Sequence, residues 1–157
     1  MHISAAREED IERVRQIAGE VFSDFGDYAS LLPRFFKSRG VSTFLAWEDQ
    51  QALGFIMLGF LPWSGGSEEP VWIADILALA VLRKHQRRGV GEKLLARAEQ
   101  LIEEMKEWRE VKRVELTCAA ENHTALEFFR KHGFEVVDPH HGNYATGQAA
   151  VRMAKKL

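Results

Sequence analysis

The sequence predicts an α/β fold, and three observations predict it. An apolar run, Val71–Leu82, passes through a short basic turn, Arg83–Arg88, into a long amphipathic helix. Upstream, the apolar runs Val41–Glu48 and Ala52–Leu61 flank the polar Glu48-Asp-Gln-Gln51 and read as a hairpin. Downstream, helical periodicity alternates with short apolar strands to the end of the chain.

In order, His2–Ala6 suits a short first strand, and Glu8–Phe22 places Ile11, Val14, Ile17, Ala18 and Val21 at helical spacing. Its acidic start, Glu8-Glu9-Asp10, complements a helix N-terminus. Ser23–Asp27 breaks that helix, and Tyr28–Arg39 forms a second, less regular one, interrupted or started at Pro33 and stopped by Gly40. After the hairpin, Pro62–Pro70 carries two glycines, serines and glutamates and reads as an exposed loop. In the long helix, Val90, Leu94, Ala98, Leu101, Ile102, Met105 and Trp108 make one apolar stripe for the core. Arg113–Ala119 is a strand, Asn122–His132 a helix, and Phe134–Val137 and Gly147–Ala154 the last strands. Helices between strands four, five and six predict parallel neighbours there, joined by right-handed crossovers.

At 157 residues one domain spanning residues 1–157 is expected. A chain of this length buries roughly 70% of its unfolded surface, so it needs no covalent staple. A net charge of −2 argues against general nucleic-acid binding, which calls for a basic excess. The one cysteine, Cys118, excludes an internal disulfide framework and suits a reducing cytoplasm. The opening MHISAAREED turns acidic too soon for a signal peptide. Neither Ala52–Trp63 nor Val71–Leu82 approaches the roughly 20 residues that span a bilayer. The expectation is a soluble cytoplasmic protein with no nucleic-acid or membrane partner.

The turn carries the chemistry. Gln86-Arg87-Arg88-Gly89-Val90-Gly91 puts two glycines at a strand-to-helix junction, where the backbone can curl and bring its N–H groups to a ligand. The first turn of the helix adds unpaired N–H groups and a positive dipole end, so an anion is favoured. Lys84, Arg87, Arg88 and Lys93 add charge around the same spot. Gly91 is followed by Glu92-Lys93-Leu94, so no hydroxyl is set for Mg²⁺ as in a P-loop, and Leu94 stands where a dinucleotide fingerprint needs glycine.

Gln86-x-x-Gly89-x-Gly91 after an apolar strand resembles the acyl-CoA pyrophosphate loop of the GNAT superfamily of N-acyltransferases. A second stretch, Asn122-x-x-Ala125-x-x-x-Phe129-x-x-x-Gly133-Phe134, is similar to the other hallmark of that superfamily. The resemblance implies a mixed, mostly antiparallel sheet of about seven strands flanked by four helices. Its fourth and fifth strands would splay apart to admit the pantetheine arm of the donor. It also implies direct transfer from acetyl-CoA to a primary amine of a small molecule or peptide. A non-catalytic acyl-CoA-binding module is the alternative. The partners expected are acetyl-CoA and an amine acceptor, with a homodimer as the candidate assembly.

Carried onto this chain, the resemblance gives the backbone of Leu79, Ala80 and Val81 to the pantetheine amides. It gives Gln86, Arg87, Arg88, Gly89, Val90 and Gly91 to the pyrophosphate, with Asn122 and Phe129 also at the cofactor. A strand N–H near Leu79 or Ala80 would steady the oxyanion. Asp75 is the candidate base: a carboxylate among apolar neighbours is costly unless paired, and desolvation raises its pKa. With unbroken alternation it shares a face with Ile73, Leu77, Leu79 and Val81; a β-bulge would flip it, and pairing with an arginine would make it structural. The superfamily usually has a tyrosine at the position of Phe129, whose hydroxyl protonates the leaving thiolate. Tyr144 is the favoured substitute, ahead of Tyr28, His123 and Cys118, unless the thiolate leaves unassisted. Asn122 also suits a helix N-cap. Asp138, His140 and His141 lie in a Pro/Gly loop and are expected in solvent rather than on a metal, so no metal is expected. The acceptor cleft is expected between Phe22–Arg39, Pro62–Pro70 and Asp138–Thr146, where Asp24, Asp27, Glu68 and Glu69 favour a cationic amine.

Overall fold

The structure, a computed structural model, describes residues 1–63 and 69–157. The strands are β1 (His2–Ala5), β2 (Val41–Glu48), β3 (Gln51–Trp63), β4 (Val71–Val81), β5 (Val111–Ala119), β6 (Glu135–Asp138) and β7 (Ala150–Lys156). The helices are α1 (Ile11–Val21), α2 (Tyr28–Phe36), α3 (Val90–Met105) and α4 (His123–Lys131). The strands form one seven-stranded sheet in the order β1-β2-β3-β4-β5-β7-β6. Among these pairs β4–β5 is parallel, and the others are antiparallel.

Each face of the sheet has its own core. Val90, Leu94, Leu95, Ala98 and Ile102 of α3, with Leu126 and Phe129 of α4, pack on Ile56, Leu58, Ala74, Ile76, Val114 and Leu116. On the other face Val14, Ile17 and Ala18 of α1 and Leu32 of α2 cover Leu45, Phe55, Met57, Ala78 and Ala80. Burying a leucine or isoleucine side chain contributes roughly 1.5–3 kcal/mol, so these stripes hold the helices in place. Asp27 caps α2, accepting from the Ser30 N–H at 3.2 Å, and Asn122 caps α4, accepting from the Ala125 N–H at 3.2 Å.

Several boundaries differ from the sequence reading. The apolar stripe of α3 stops with the helix at Met105, so Trp108 lies beyond it in a turn and is 82% exposed. Pro33 sits buried inside α2, which ends at Phe36 rather than Arg39. The last strand begins at Ala150, not Gly147. Strands β5 and β6 are not neighbours, because β7 pairs with both. The reason is burial: β7 supplies four buried residues to the interior, whereas the four-residue β6, with Glu135 and Val137 exposed, suits an edge.

Candidate active site

The parallel ladder between β4 and β5 runs from Trp72↔Val111 to Ile76↔Leu116 and stops there. Beyond it β4 follows β3 to Val81, while β5 follows β7 to Ala119. The parting point coincides with a bulge: Ile76 pairs with Leu58 and Ala78 with Met57, leaving Leu77 as the extra residue. The result is a cleft of about 450 Å³ between the diverging strands, closed at the sides by Ala125 and Phe129 of α4 and by Phe22, Phe25 and Tyr28. That volume is in the range of small-ligand sites.

The β4 edge facing the gap is selective about its backbone groups. A Cβ on Gly54 would lie 2.5 Å from the Ala80 carbonyl oxygen, which therefore points at β3. By alternation Leu79 and Val81 turn their polar groups to the open side. The Val81 carbonyl there accepts from the Gln86 side-chain amide at 2.9 Å, so Gln86 ties the turn to the end of the strand.

The turn itself is built for an anion. Arg87 (φ 62°) and Gly89 (φ 81°) both adopt the left-handed region, and the first costs strain that a non-glycine residue rarely accepts. The N–H groups of Arg87, Arg88, Gly89, Val90 and Gly91 have no acceptor among the described residues, and they converge at the start of α3. From α1, Glu20 accepts the Arg83 N–H at 3.0 Å and anchors the turn from behind. Lys84, Arg87 and Lys93 have no ion-pair partner among the described residues. Arg88 does not share their freedom: it binds Glu48 at 3.1 Å and the His85 ring at 3.0 Å. Its side chain holds the turn against the β2–β3 hairpin, and only its N–H is left for a ligand.

At the opposite end, the bulge reverses the expected face of Asp75. Ala74, Ile76, Leu79 and Val81 pack toward the α3–α4 core, whereas Leu77, Ala78 and Ala80 pack toward α1 and α2. Asp75 therefore shares its face with Leu77, Ala78 and Ala80, and not with Leu79 and Val81. There it lines the cleft, half-buried, 3.3 Å from Arg152. Burial pushes its carboxyl above the usual carboxylate range; the Arg152 cation pulls the other way but does not cancel it.

Tyr144, Tyr28 and Cys118 line the same cleft as Phe129, and His123 does not. The Tyr144 ring packs 5.1 Å from Phe25 and 6.5 Å from Tyr28, and burial raises both phenols above their usual range. Neither hydroxyl has a hydrogen-bond partner among the described residues. Burial pushes the Cys118 thiol up to about 11, so it stays protonated and poorly nucleophilic. Phe129, 7% exposed, wedges edge-on between Phe128 and Phe134. Asp138 accepts from the His140 N–H and faces the His141 ring, so the loop carboxylate is occupied locally.

Some of the cleft was not foreseen. Thr146 and Gln148 donate to the Asp24 carbonyl at 2.6 and 2.7 Å, tying the β6–β7 loop to the α1–α2 segment across the acceptor end. Arg152 was also missed, although a lone arginine in Ala-Ala-Val-Arg-Met-Ala breaks an otherwise apolar strand. Asp24 contributes to the cleft through its carbonyl rather than as an acidic wall, Asp27 caps a helix, and Glu68 lies outside the described residues.

The acetyltransferase (GNAT) family profile matches residues 8–134, and the chain belongs to that family. No curated protein sequence matches it. Among solved structures, Arabidopsis thaliana NAA60 in complex with acetyl-CoA superposes with a TM-score of 0.79 at 14% identity, covering 99% of this chain and 98% of that one. The ribosomal-protein-S18-alanine N-acetyltransferase from Escherichia coli gives 0.75 at 20% identity over 99% and 92%. The PaiA N-acetyltransferase from Thermoplasma acidophilum, in complex with coenzyme A, gives 0.72 at 20% over the full length of both. At these identities the likenesses show a shared fold.

Proposed function

We propose that this protein transfers an acetyl group from acetyl-CoA to a primary amine of a small molecule or peptide, directly, with both substrates bound. The observation that carries the reading is the pairing of one gap and one turn. A strand parted from its neighbour at Ile76 leads into a turn whose five successive N–H groups have no protein acceptor. The gap suits an extended pantetheine arm, and the turn suits a pyrophosphate. Solved relatives of the fold carry acetyl-CoA or coenzyme A, as NAA60 and PaiA do.

In this reading Asp75 takes the proton that the amine loses as its nitrogen bonds to the thioester carbonyl. A strand N–H on the open edge, at Leu79, steadies the oxyanion, and Tyr144 returns a proton to the sulfur as the carbon–sulfur bond breaks. Asn122 and Phe129 form the cofactor wall at α4.

Phe129, with no hydroxyl to donate, favours a second reading as a non-catalytic acyl-CoA-binding module. A panel of primary amines with acetyl-CoA, read as release of free thiol, separates the two. Thiol release that depends on one amine class supports the enzyme. Coenzyme A binding without release across the panel leaves the binding module.

A further inference from the structure

Asp75 sits at one corner of an ionic array that crosses three strands. In the sheet register Asp75 of β4 lies beside Glu115 of β5, and Thr117 of β5 lies opposite Arg152 of β7. All four side chains leave the sheet on the same face, because their neighbours Ala74, Ile76, Val114, Leu116, Val151 and Met153 go into the α3–α4 core. One nitrogen of the Arg152 guanidinium lies 3.3 Å from Asp75 Oδ1 and 3.2 Å from Glu115 Oε2. The other donates to Thr117 Oγ1 at 2.9 Å. Arg113 completes the array, its Nε 3.2 Å from Glu115 Oε1. The side chains of Asp75, Glu115 and Arg152 are 15, 15 and 17% exposed, so solvent screens them far less than it would a surface pair.

We propose that Arg152 is a positioning residue for acetyl transfer: tethered by Glu115 and Thr117, it holds the Asp75 carboxylate in the cleft, charged and turned toward the acceptor amine. The proposal rests on Asp75 as the proton acceptor. An aspartate drawn into a cleft and left alone would favour its neutral form and could not accept a proton. An aspartate given a guanidinium to itself would be held so firmly ionised that it would be a weak base. The shared geometry lies between these limits, since Arg152 divides its charge between two carboxylates. Glu115 thus opposes what Arg152 does to Asp75, although the two acids never touch the same substrate atom. The directions agree: Arg152 lowers the proton affinity of Asp75 and Glu115 raises it.

The other titratable groups around Asp75 are few. His141, from the segment before β7, lies within electrostatic reach and is itself paired with Asp138 at 3.3 Å. Tyr28 of α2 and Tyr144 line the same cleft, and both phenols are held protonated by burial. Neither group supplies a second fixed cation. Removing Arg152 therefore leaves Asp75 with only a titrating neighbour.

The test is a carboxyl-carbon NMR titration of Asp75, assigned by the signal lost in Asp75→Asn, run beside the pH dependence of turnover. Arg152→Gln keeps amide donors but removes the charge, and should move the Asp75 midpoint up and the acid limb of turnover to higher pH. Arg152→Lys should restore most of the wild-type position. Glu115→Gln frees Arg152 for Asp75 and should move both readings down. Each unit of displacement reads as a tenfold change in turnover at a fixed pH on that limb. Melting curves confirm that each variant is folded, and the Glu115 arm stands if Arg152→Gln is not. Opposite shifts for the two neutralising variants support the proposal. Midpoints that stay put, or move together, overturn it. Midpoints that move as stated while the activity limb does not follow overturn Asp75 as the base, and with it the catalytic part of the role of Arg152.

Discussion

Gly54 and Ala80 stand so close across β3 and β4 that a Cβ on the glycine would meet the alanine carbonyl oxygen at 2.5 Å. The contact falls where β4 has already parted from β5, so β3 alone holds this stretch of β4 in place. The obstacle is backbone on both sides, which cannot rotate away. Gly54→Val should cost about 1–3 kcal/mol, the usual penalty of overpacking, and lower the melting temperature. It should also weaken coenzyme A binding, because the displaced strand is the one that lines the gap. A variant that melts like the wild type would show that the two strands can part without cost.

Gly91 differs in that its space is open to substitution from within. A Cβ there would lie 3.6 Å from the Phe128 ring, an ordinary contact, so Gly91→Val should fold normally. Its branched side chain would stand among the free N–H groups of the turn. Wild-type protein at a hundredfold excess of coenzyme A over its Kd should gain about 2.7 kcal/mol by mass action. The Gly91→Val protein should gain little, and thermal shift with and without coenzyme A compares them. Equal shifts would remove the turn as the anion site.

Asp75 links activity to stability through pH. Its carboxyl holds a proton more tightly in the folded protein than in the unfolded chain, owing first to burial. The folded state therefore binds more protons in that window, and stability falls as pH rises through it. Asp75→Asn removes this loss. At neutral pH the variant should melt at or above the wild-type temperature, with the difference fading at pH values below the ordinary carboxylate range. Turnover should drop by about 10²–10⁴-fold. A variant that is less stable at neutral pH yet turns over normally would mark Asp75 as a structural partner of Arg152.

Phe129→Tyr places a hydroxyl in the cleft wall opposite Tyr144. If Tyr144 already donates the proton, the change should leave turnover flat and cost roughly 1–3 kcal/mol for an unpaired buried hydroxyl. Tyr144→Phe should then lower turnover, and the double variant Phe129→Tyr, Tyr144→Phe should recover part of it. Steady-state rates and melting curves for the three proteins decide the matter. A Tyr144→Phe enzyme as fast as the wild type would end the role of Tyr144.

Much of this protein was legible in its residue order because the relevant physics is local. The α3 and α4 stripes announce themselves by period, Asn122 by its place before a helix, and the anion turn by two glycines spaced Gly89-Val90-Gly91 among arginines. Both hallmark stretches are contiguous, so the family could be read from them. What the order of residues could not decide was everything set by lateral placement in the sheet. Trp108 keeps the α3 period but falls after the helix has ended. A single extra residue at Leu77 moved Asp75 to the opposite face, since a strand has a period of two and one insertion inverts it. Strand β7 entered between β5 and β6 and carried Arg152 to Asp75 from 77 positions away, a pairing that no local pattern encodes. The same lateral packing turned Arg88 toward Glu48 and joined Thr146 and Gln148 to Asp24. Local chemistry determined which elements form and where an anion can sit. Only the tertiary structure decided which charges meet, because that depends on strand order and register.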